Sequence, residues 1–221
     1  MIGQTWEDLL FVHYRVPVEE LRKHVPGGLE VDEHSGSGWL GVTPFVVTGL
    51  RARGLPPVPY VSDFFELNVR TYVTRNDKPG IWFFSLDTSS RLAVEAGRRF
   101  YRLPYSHAHI SLSRTEDQVT YDCSRHEGKA FSGTYGPAGA VFEAETGSLE
   151  HFLTERYCFY GEHEGKIYRA EIHHRPWRLQ PAEARIDLDT MPPGDLRRGD
   201  DAPVLHYSAR QDVVTWPLGD A

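Results

Sequence analysis

The stretch Phe64–Val73, FFELNVRTYV, alternates between apolar and polar side chains at nearly every step. Side chains on one face of a β-strand recur at every second residue. One face of this segment would therefore carry Leu67, Val69, Thr71 and Val73. The opposite face would carry Glu66, Asn68, Arg70 and Tyr72. The pattern predicts a strand with one largely apolar face and one face that presents an acid, an amide, a guanidinium and a phenol.

Similar runs on both sides of this segment predict a chain built mainly of strands. They are Leu9–Val16, Trp39–Val47, Ile81–Asp87, His107–Arg114, Val119–Arg125, Ile167–Ile172, Val204–Ser208 and Val213–Trp216. The residues Asn76–Gly80 predict a hairpin turn, and short connections favour antiparallel pairing. Three segments predict helices, Val18–His24, Ser89–Phe100 and Leu149–Arg156. The second helix would turn one face inward, with Leu92, Ala93, Ala96, Gly97 and Phe100.

We therefore predict an α+β fold, an antiparallel conical β-barrel or curved sheet with a few flanking helices, as one domain over residues 1–221. The 221 residues are 40% hydrophobic and 12% aromatic, which excludes intrinsic disorder. A net charge of −7 argues against nucleic-acid binding, which begins with a basic surface. No apolar run approaches the roughly 18–20 residues of a membrane span. The cysteines, Cys123 and Cys158, are expected to be free, buried thiols in a cytoplasmic protein, and homo-oligomer formation stays open.

Two motifs suggest sites that their context does not support. Residues 36–41 (GSGWLG) match G-x-G-x-x-G, but dinucleotide binding needs a helix after the glycines, and a predicted strand follows. His107 and His109 would share one face of a strand, but no third ligand stands at a metal-site spacing. We predict no metal and no cofactor, although the sequence alone does not decide whether the histidine pair binds a metal.

The polar face of Phe64–Val73 has two interpretations. On a sheet with one solvated face it would lie in water, where a pair of Glu66 and Arg70 would add little stability. In a closed or conical sheet the same face could line a ligand cavity. Neighbouring aromatic residues indicate a buried environment, and a buried acid and guanidinium need a partner or a ligand. The second interpretation predicts an enclosed pocket for a small polar molecule.

Several longer segments resemble the YqjF-like family of uncharacterised proteins along nearly the whole chain. They are ELNVRTYV (66–73), PGIWFFSLD (79–87), AGRRFYRLPYSHA (96–108), EIHHRPW (171–177) and HYS (206–208). That family is similar to acetoacetate decarboxylase, and the cues here are Tyr14-Arg15, the stretch 21–33 and the spacing from Gly97-Arg98 to Pro104. The resemblance implies an antiparallel conical barrel around a closed cavity.

The same resemblance implies a cavity without the reactive amine of the decarboxylase. In that enzyme the first of two adjacent lysines forms a Schiff base, and its neighbour helps to lower its pKa. Here Tyr105 and Ser106 occupy the two positions. The four lysines, Lys23, Lys78, Lys129 and Lys166, are all expected to be exposed. The sequence therefore argues against Schiff-base decarboxylation.

Other expected roles follow from the resemblance. Glu66 corresponds to a cavity glutamate of the decarboxylase. An arginine near the decarboxylase's N-terminus corresponds to Glu7 here, and Arg70 is the candidate replacement. If Tyr105 points inward, the strand period would also turn His107 and His109 inward, unless a bulge intervenes.

Two functions are compatible with these residues. As an enzyme, the chain would act on a small carbonyl or carboxylate compound by acid–base chemistry, with Glu66 or His107 moving a proton. The substrate-binding residues would be Arg70, Tyr105, Asn68 and His109, with the Tyr105 hydroxyl donating to a developing oxyanion. As a non-catalytic binding or sensing protein, it would retain the pocket alone. The partner in both hypotheses is a small-molecule ligand.

Overall fold

The computed structural model describes residues 1–58 and 61–221, and that part of the chain contains three short helices and fourteen strands. The helices are α1 (Val18–Arg22), α2 (Arg91–Tyr101) and α3 (Leu149–Thr154). The first seven strands are β1 (Ile2–Val16), β2 (Glu30–Val31), β3 (Gly38–Ala52), β4 (Phe64–Arg75), β5 (Lys78–Thr88), β6 (Tyr105–His107) and β7 (His109–Arg114). The others are β8 (Val119–Ser124), β9 (Ala130–Pro137), β10 (Cys158–His163), β11 (Lys166–His174), β12 (Gln180–Asp189), β13 (Val204–Thr215) and β14 (Gly219–Asp220).

Seven of these strands close into a ring in the order β11-β10-β5-β4-β3-β1-β13. Residues 172–174 of β11 pair with residues 213–215 of β13 and complete the ring. From β13 the sheet continues through β12 and β9 to β8 and β7. The result is the predicted curved sheet with a few helices, so the α+β prediction is confirmed.

Most strand pairs are antiparallel, as predicted, but β5 has parallel neighbours. It pairs in parallel with β6 and with β10. A parallel pair needs a long crossover connection, and α2 provides it between β5 and β6. The sheet is therefore antiparallel, as predicted, except where β5 pairs with β6 and with β10.

The alternation in β4 separates two environments. Leu67 and Val69 pack in the main apolar cluster, which also contains Tyr121 and Tyr135 from β8 and β9. This cluster joins one face of the ring to the β7-β8-β9 part of the sheet. The Tyr121 hydroxyl donates to the backbone carbonyl of Glu66 at 2.9 Å and ties the two parts together. The polar side chains of β4 lie on the other face.

The hairpin between β4 and β5 is tighter than predicted. Arg75 pairs with Lys78, so the turn consists of Asn76 and Asp77 alone, with φ angles of 51° and 57°. Two positive φ angles in a two-residue loop define a type I′ turn, whose twist matches the strands it joins. Farther along, the register shifts between Val69 and the next residue, because β5 contains one extra residue there.

Several predicted boundaries differ from the structure. The predicted strand His107–Arg114 is split between β6 and β7, and Val204–Ser208 and Val213–Trp216 form the single strand β13. Strands β9 and β10 were not predicted, because β9 lacks a clear apolar period and β10 adjoins α3. Strand β12 was not predicted either, although Ala182, Ala184, Ile186 and Leu188 alternate with charged residues along it. No helix in the described ranges is long and apolar enough to cross a membrane.

Helix α2 does not bury the face that its apolar residues predict. Leu92 and Phe100 are 63% and 64% exposed, and only Val94 and Gly97 are buried. Ser90 caps the helix by accepting from the backbone N–H of Ala93. Ala93, Ala96, Gly97 and Phe100 of the predicted face line a cavity, described below, whereas Leu92 lies outside it and faces solvent.

Candidate functional site

A cavity of about 140 Å³ lies between the ring and helix α2. Four of the six predicted site residues line it together. Glu66, Asn68 and Arg70 come from β4, and Tyr105 comes from β6. Most of the remaining wall is apolar or aromatic. The polar side chains of β4 therefore form one strip of a wall that is otherwise mainly apolar.

The extra residue of β5 shapes this wall. Val69 pairs with Ser85 and Arg70 with Phe83, which leaves Phe84 as the bulged residue. Phe83 and Leu86 both line the cavity although they are three residues apart. A strand without the bulge would place only residues two apart on one face.

The structure does not bring His107 and His109 to the cavity. His107 pairs with Thr88, the last residue of β5, where the chain leaves the ring for α2. Ala108 then interrupts the strand, and His109 begins β7 and is exposed. The imidazole centroids lie 5.7 Å apart, and the described residues contain no group of three His, Cys, Asp or Glu suited to a metal ion. The inward orientation expected from strand period does not extend past Tyr105.

Glu66 is buried, with 6% of its surface exposed. The Tyr105 hydroxyl donates to Glu66 Oε2 at 3.4 Å. Burial raises the pKa of Glu66 to about 8, and the negative charge of Asp87 acts in the same direction, while hydrogen bonds from Tyr105 and Asn68 oppose the rise. At neutral pH this carboxyl is therefore mainly protonated.

Tyr105 is held from three sides. Its ring packs so closely on Gly97 of α2 that a Cβ there would lie 2.2 Å from Tyr105 Cδ2. Arg98 Nε donates to the Tyr105 backbone carbonyl at 2.7 Å, and Glu66 accepts from the hydroxyl. Burial, followed by the nearby Glu66 carboxylate, raises the pKa of Tyr105 well above its usual range. The phenol is therefore a fixed hydrogen-bond donor.

Arg70 is a buried cation without a counter-charge. It is 5% exposed, its Nε has no hydrogen-bond partner, and no carboxylate among the described residues pairs with it. Its guanidinium carbon lies 5.4 Å from the ring centroid of Phe11 and 5.9 Å from that of Tyr72. Gly41 faces it across the β3–β4 pair, where a Cβ would lie 3.2 Å from Arg70 Cγ.

The histidine beside Arg70 does not compensate its charge. Tyr72 donates its hydroxyl proton to the Leu153 carbonyl at 2.7 Å, so its oxygen accepts from His13 Nε2, also at 2.7 Å. Burial first, and then the charge of Arg70, lower the pKa of His13 well below its ordinary value. A neutral imidazole and a phenol leave the guanidinium uncompensated.

Sequence reasoning missed several further polar residues on the cavity wall, among them Arg156 and His174. Arg156 Nη1 donates to Asp32 at 2.6 Å, and its guanidinium carbon lies 5.0 Å from the Tyr72 ring centroid. His174 Nδ1 donates to the Arg175 carbonyl at 2.8 Å, and burial lowers the pKa of His174. Asp32 stands 124 positions from its partner, so no local pattern could reveal this pair.

None of the four lysines, which all lie within the described residues, lines the cavity. Lys129 is half-buried, contrary to the expectation of exposure, and its ammonium donates to the backbone carbonyls of Met191 and Pro192. Cys123 and Cys158 are free and buried, as predicted, and burial raises the pKa of Cys123 to about 12. The cavity wall therefore offers no amine or thiol nucleophile.

The strand ring and its helices define the class of this protein, which has the acetoacetate decarboxylase-like fold. The chain superposes on an acetoacetate decarboxylase from Legionella pneumophila with a TM-score of 0.70 at 12% identity, covering 100% of this chain and 88% of that one. The enduracididine biosynthesis enzyme MppR complexed with pyruvate gives 0.70 at 12% identity, covering 100% and 91%. An acetoacetate decarboxylase-like enzyme from Sphingomonas wittichii RW1 gives 0.65 at 17% identity, covering 100% and 94%. At these identities the similarity establishes the fold alone.

The chain belongs to the DUF2071 family, described as uncharacterized conserved proteins, whose model matches residues 3–212. It is 46% identical over 221 residues to the uncharacterized protein YqjF of Bacillus subtilis strain 168, covering 99% of this chain and 91% of that protein. The resemblance inferred from the sequence is therefore confirmed.

Proposed function

We propose that this protein binds a small carboxylate that carries a carbonyl group and exchanges a proton with it, without forming an imine. The observation that carries the proposal is the buried, uncompensated guanidinium of Arg70 on the same cavity wall as the protonated Glu66. The similarity to MppR, whose structure is described as complexed with pyruvate, supports this class of ligand.

Arg70 is the proposed anchor for the carboxylate. An unpaired charge in a low-dielectric interior costs several kcal/mol, and a bound anion offsets that cost. A guanidinium can donate two parallel hydrogen bonds to a carboxylate, which also orients the ligand. Arg156 has its Asp32 partner already, so Arg70 is the better anchor.

Glu66 is the proposed proton-transfer group. In its ionised form it removes a proton from the carbon beside the ligand carbonyl, and the electron pair of the broken C–H bond becomes the enolate. The Tyr105 hydroxyl donates to the enolate oxygen, where the negative charge develops. A pKa of about 8 suits this role, because a group near the working pH both gives and takes protons readily.

The absence of a lysine from the cavity wall supports a mechanism that forms no bond between ligand and protein. A Schiff base needs an unprotonated amine within reach of the carbonyl. The described wall offers a carboxyl group and a phenol instead. The retained chemistry would be proton transfer alone.

Two measurements test the proposal on the purified full chain. Thermal shift with pyruvate, 2-oxobutanoate and acetoacetate reports binding, since a ligand that prefers the folded state raises the melting temperature. Proton NMR in D2O reports the loss of hydrogen beside the carbonyl, after subtraction of the rate without protein. We expect R70Q to lose the stabilisation and E66Q to keep it while the exchange rate falls at least 100-fold. The matched control is R185Q, which removes an exposed guanidinium from the surface.

The outcomes separate the two functions. Stabilisation that R70Q leaves unchanged, or none with any of the acids, contradicts the proposal. Arg70-dependent binding without exchange identifies the protein as a non-catalytic binding or sensing module. Exchange that persists in E66Q removes Glu66 from its role.

A further inference from the structure

We propose that the ligand is an oxo dicarboxylate, whose second carboxylate binds Arg156 while the first is held by Arg70. This inference rests on the proposed function, because it takes Arg70 as the anchor of the first carboxylate. It adds the chemical class of the far end of the molecule.

Two guanidinium groups reach the cavity from different parts of the fold. Arg70 comes from β4 and Arg156 follows α3, and both line the cavity and are 5% exposed. Their guanidinium carbons lie 5.9 Å and 5.0 Å from the centroid of one ring, that of Tyr72. The two cations are therefore no farther apart than the sum of these distances, which a small dicarboxylate can span with one carboxylate at each of them.

Arg156 keeps hydrogen-bond donors for a ligand although it has a partner. Its Nε donates to the Phe152 carbonyl at 2.7 Å, and its Nη1 donates to Asp32 at 2.6 Å. These bonds use two of the five N–H groups of a guanidinium. Asp32 is half-buried and is not one of the described residues of the cavity wall, so it holds Arg156 from behind without occupying the site.

The wall presents two cations to a ligand and no ionised acid. Glu66 is the only carboxyl group among the described residues of the wall. It is mainly protonated at neutral pH, because burial raises its pKa to about 8. An acid with a negative charge at each end is therefore attracted to both guanidinium groups, whereas an acid of the same length with one charge gains only the attraction to Arg70.

Most of the unpartnered polar atoms on this wall are donors. Four buried atoms of the wall have no hydrogen-bond partner among the described residues, the donors Trp6 Nε1, Arg70 Nε and Trp177 Nε1 and the acceptor Asn68 Oδ1. Trp177 lies on the Arg156 side, because its ring centroid is 5.2 Å from that of His174, whose Nε2 is 3.4 Å from the Arg156 carbonyl oxygen. An ionised carboxylate only accepts hydrogen bonds, so it suits a wall of this kind better than an ammonium group does.

Calorimetric titration with two acids of the same chain length tests the inference. The acids are 2-oxoglutarate and 2-oxopentanoate, which share the 2-oxo acid group and the hydrogens beside the carbonyl. They differ only at the far end, which is a carboxylate in the first and a methyl group in the second. With the wild-type chain we expect 2-oxoglutarate to bind at least about tenfold more tightly. R70Q should weaken both acids.

Two variants locate the second carboxylate. R156Q removes the second guanidinium and should reduce the preference for 2-oxoglutarate to less than about twofold. D32N keeps an oxygen that accepts from Arg156 but removes the negative charge behind it, so 2-oxoglutarate should bind at least about twofold more tightly. The matched control is E33Q, which removes the charge of the adjacent, exposed residue and should leave both affinities unchanged. D32N decides the assignment if R156Q does not fold.

The results distinguish failure of this inference from failure of the proposed function. Equal affinities of the two acids for the wild-type chain, with both lost in R70Q, overturn the second carboxylate and leave the anchor role of Arg70 standing. A preference for 2-oxoglutarate that R156Q retains, or that D32N does not increase, overturns the assignment of Arg156. Binding of 2-oxoglutarate that R70Q does not weaken, or no binding of either acid, overturns both this inference and the proposed function.

Discussion

Replacing Glu66 with glutamine should remove a specific pH dependence from the stability of this protein. The pKa of Glu66 rises from 4.5 to about 8 on folding because the side chain is buried. Between those two values the folded state holds a proton that the unfolded state has released. The free energy of unfolding therefore falls as pH rises through this window, and it levels off above the folded-state pKa.

The size of the effect follows from the two pKa values. Each pH unit between them is worth about 1.4 kcal/mol, so the full window amounts to about 5 kcal/mol. Between pH 5 and pH 9 the free energy of unfolding of the wild-type chain should fall by about 4 kcal/mol relative to that of E66Q, whose amide does not titrate. Other buried acids titrate equally in both proteins, so the difference between the two curves isolates Glu66.

Urea denaturation monitored by tryptophan fluorescence at half-unit steps from pH 5 to pH 9 measures the two curves. E183Q makes the same substitution at an exposed position of β12 and should follow the wild-type curve. Parallel curves for wild type and E66Q would refute the reasoning, because they would mean that Glu66 is ionised in the folded protein at neutral pH.

Two further predictions concern the cavity wall. Arg70→Met should leave the free energy of unfolding unchanged or raise it by up to about 2 kcal/mol, because it removes a buried charge with no partner. Arg156→Met should lower the free energy of unfolding by about 3 kcal/mol, because it leaves Asp32 without its partner. Urea denaturation of both variants measures the contrast, and a large fall in the free energy of unfolding of Arg70→Met contradicts it. Gly97→Ala should destabilise the protein by about 2 kcal/mol, because the added Cβ would overlap the Tyr105 ring. The control Gly27→Ala adds a Cβ in open space and should change the free energy of unfolding by less than about 0.5 kcal/mol. Equal melting temperatures for the two variants would contradict the close contact between Gly97 and Tyr105.

The sequence predicted the polar side of the site because the controlling pattern is local. Alternation in a strand repeats every two residues, so the order of residues along the chain is enough to place Glu66, Asn68 and Arg70 on one face. The position of Tyr105 beside them came from the family resemblance, which the structure supports by placing it on the same cavity.

The parts that the sequence did not predict depend on where the chain leaves the sheet or on distant partners. His107 is two residues from Tyr105 on β6, but it pairs with Thr88 at the end of β5 and does not line the cavity. Arg156 lies on the cavity wall and pairs with Asp32, 124 positions away, so no local sequence pattern indicates it. The exposed apolar residues of α2 misled the prediction, since a helix over a cavity and a helix over a core have the same periodicity.

The two-residue turn at Asn76 and Asp77 has a consequence for how this family can diverge. Glu66 lies about ten residues away, about 33 Å along the strand, yet the turn sets the register in which β4 meets β5. Substitution of a single polar side chain on β4 can alter which ligand the cavity binds, because Leu67 and Val69 on the opposite face still pack in the main apolar cluster. Insertion of one residue at this exposed tip would shift β5 by one residue against β4, which β3 holds in register, and would turn Phe83 and Leu86 away from the cavity. Homologues should therefore conserve the length of the tip.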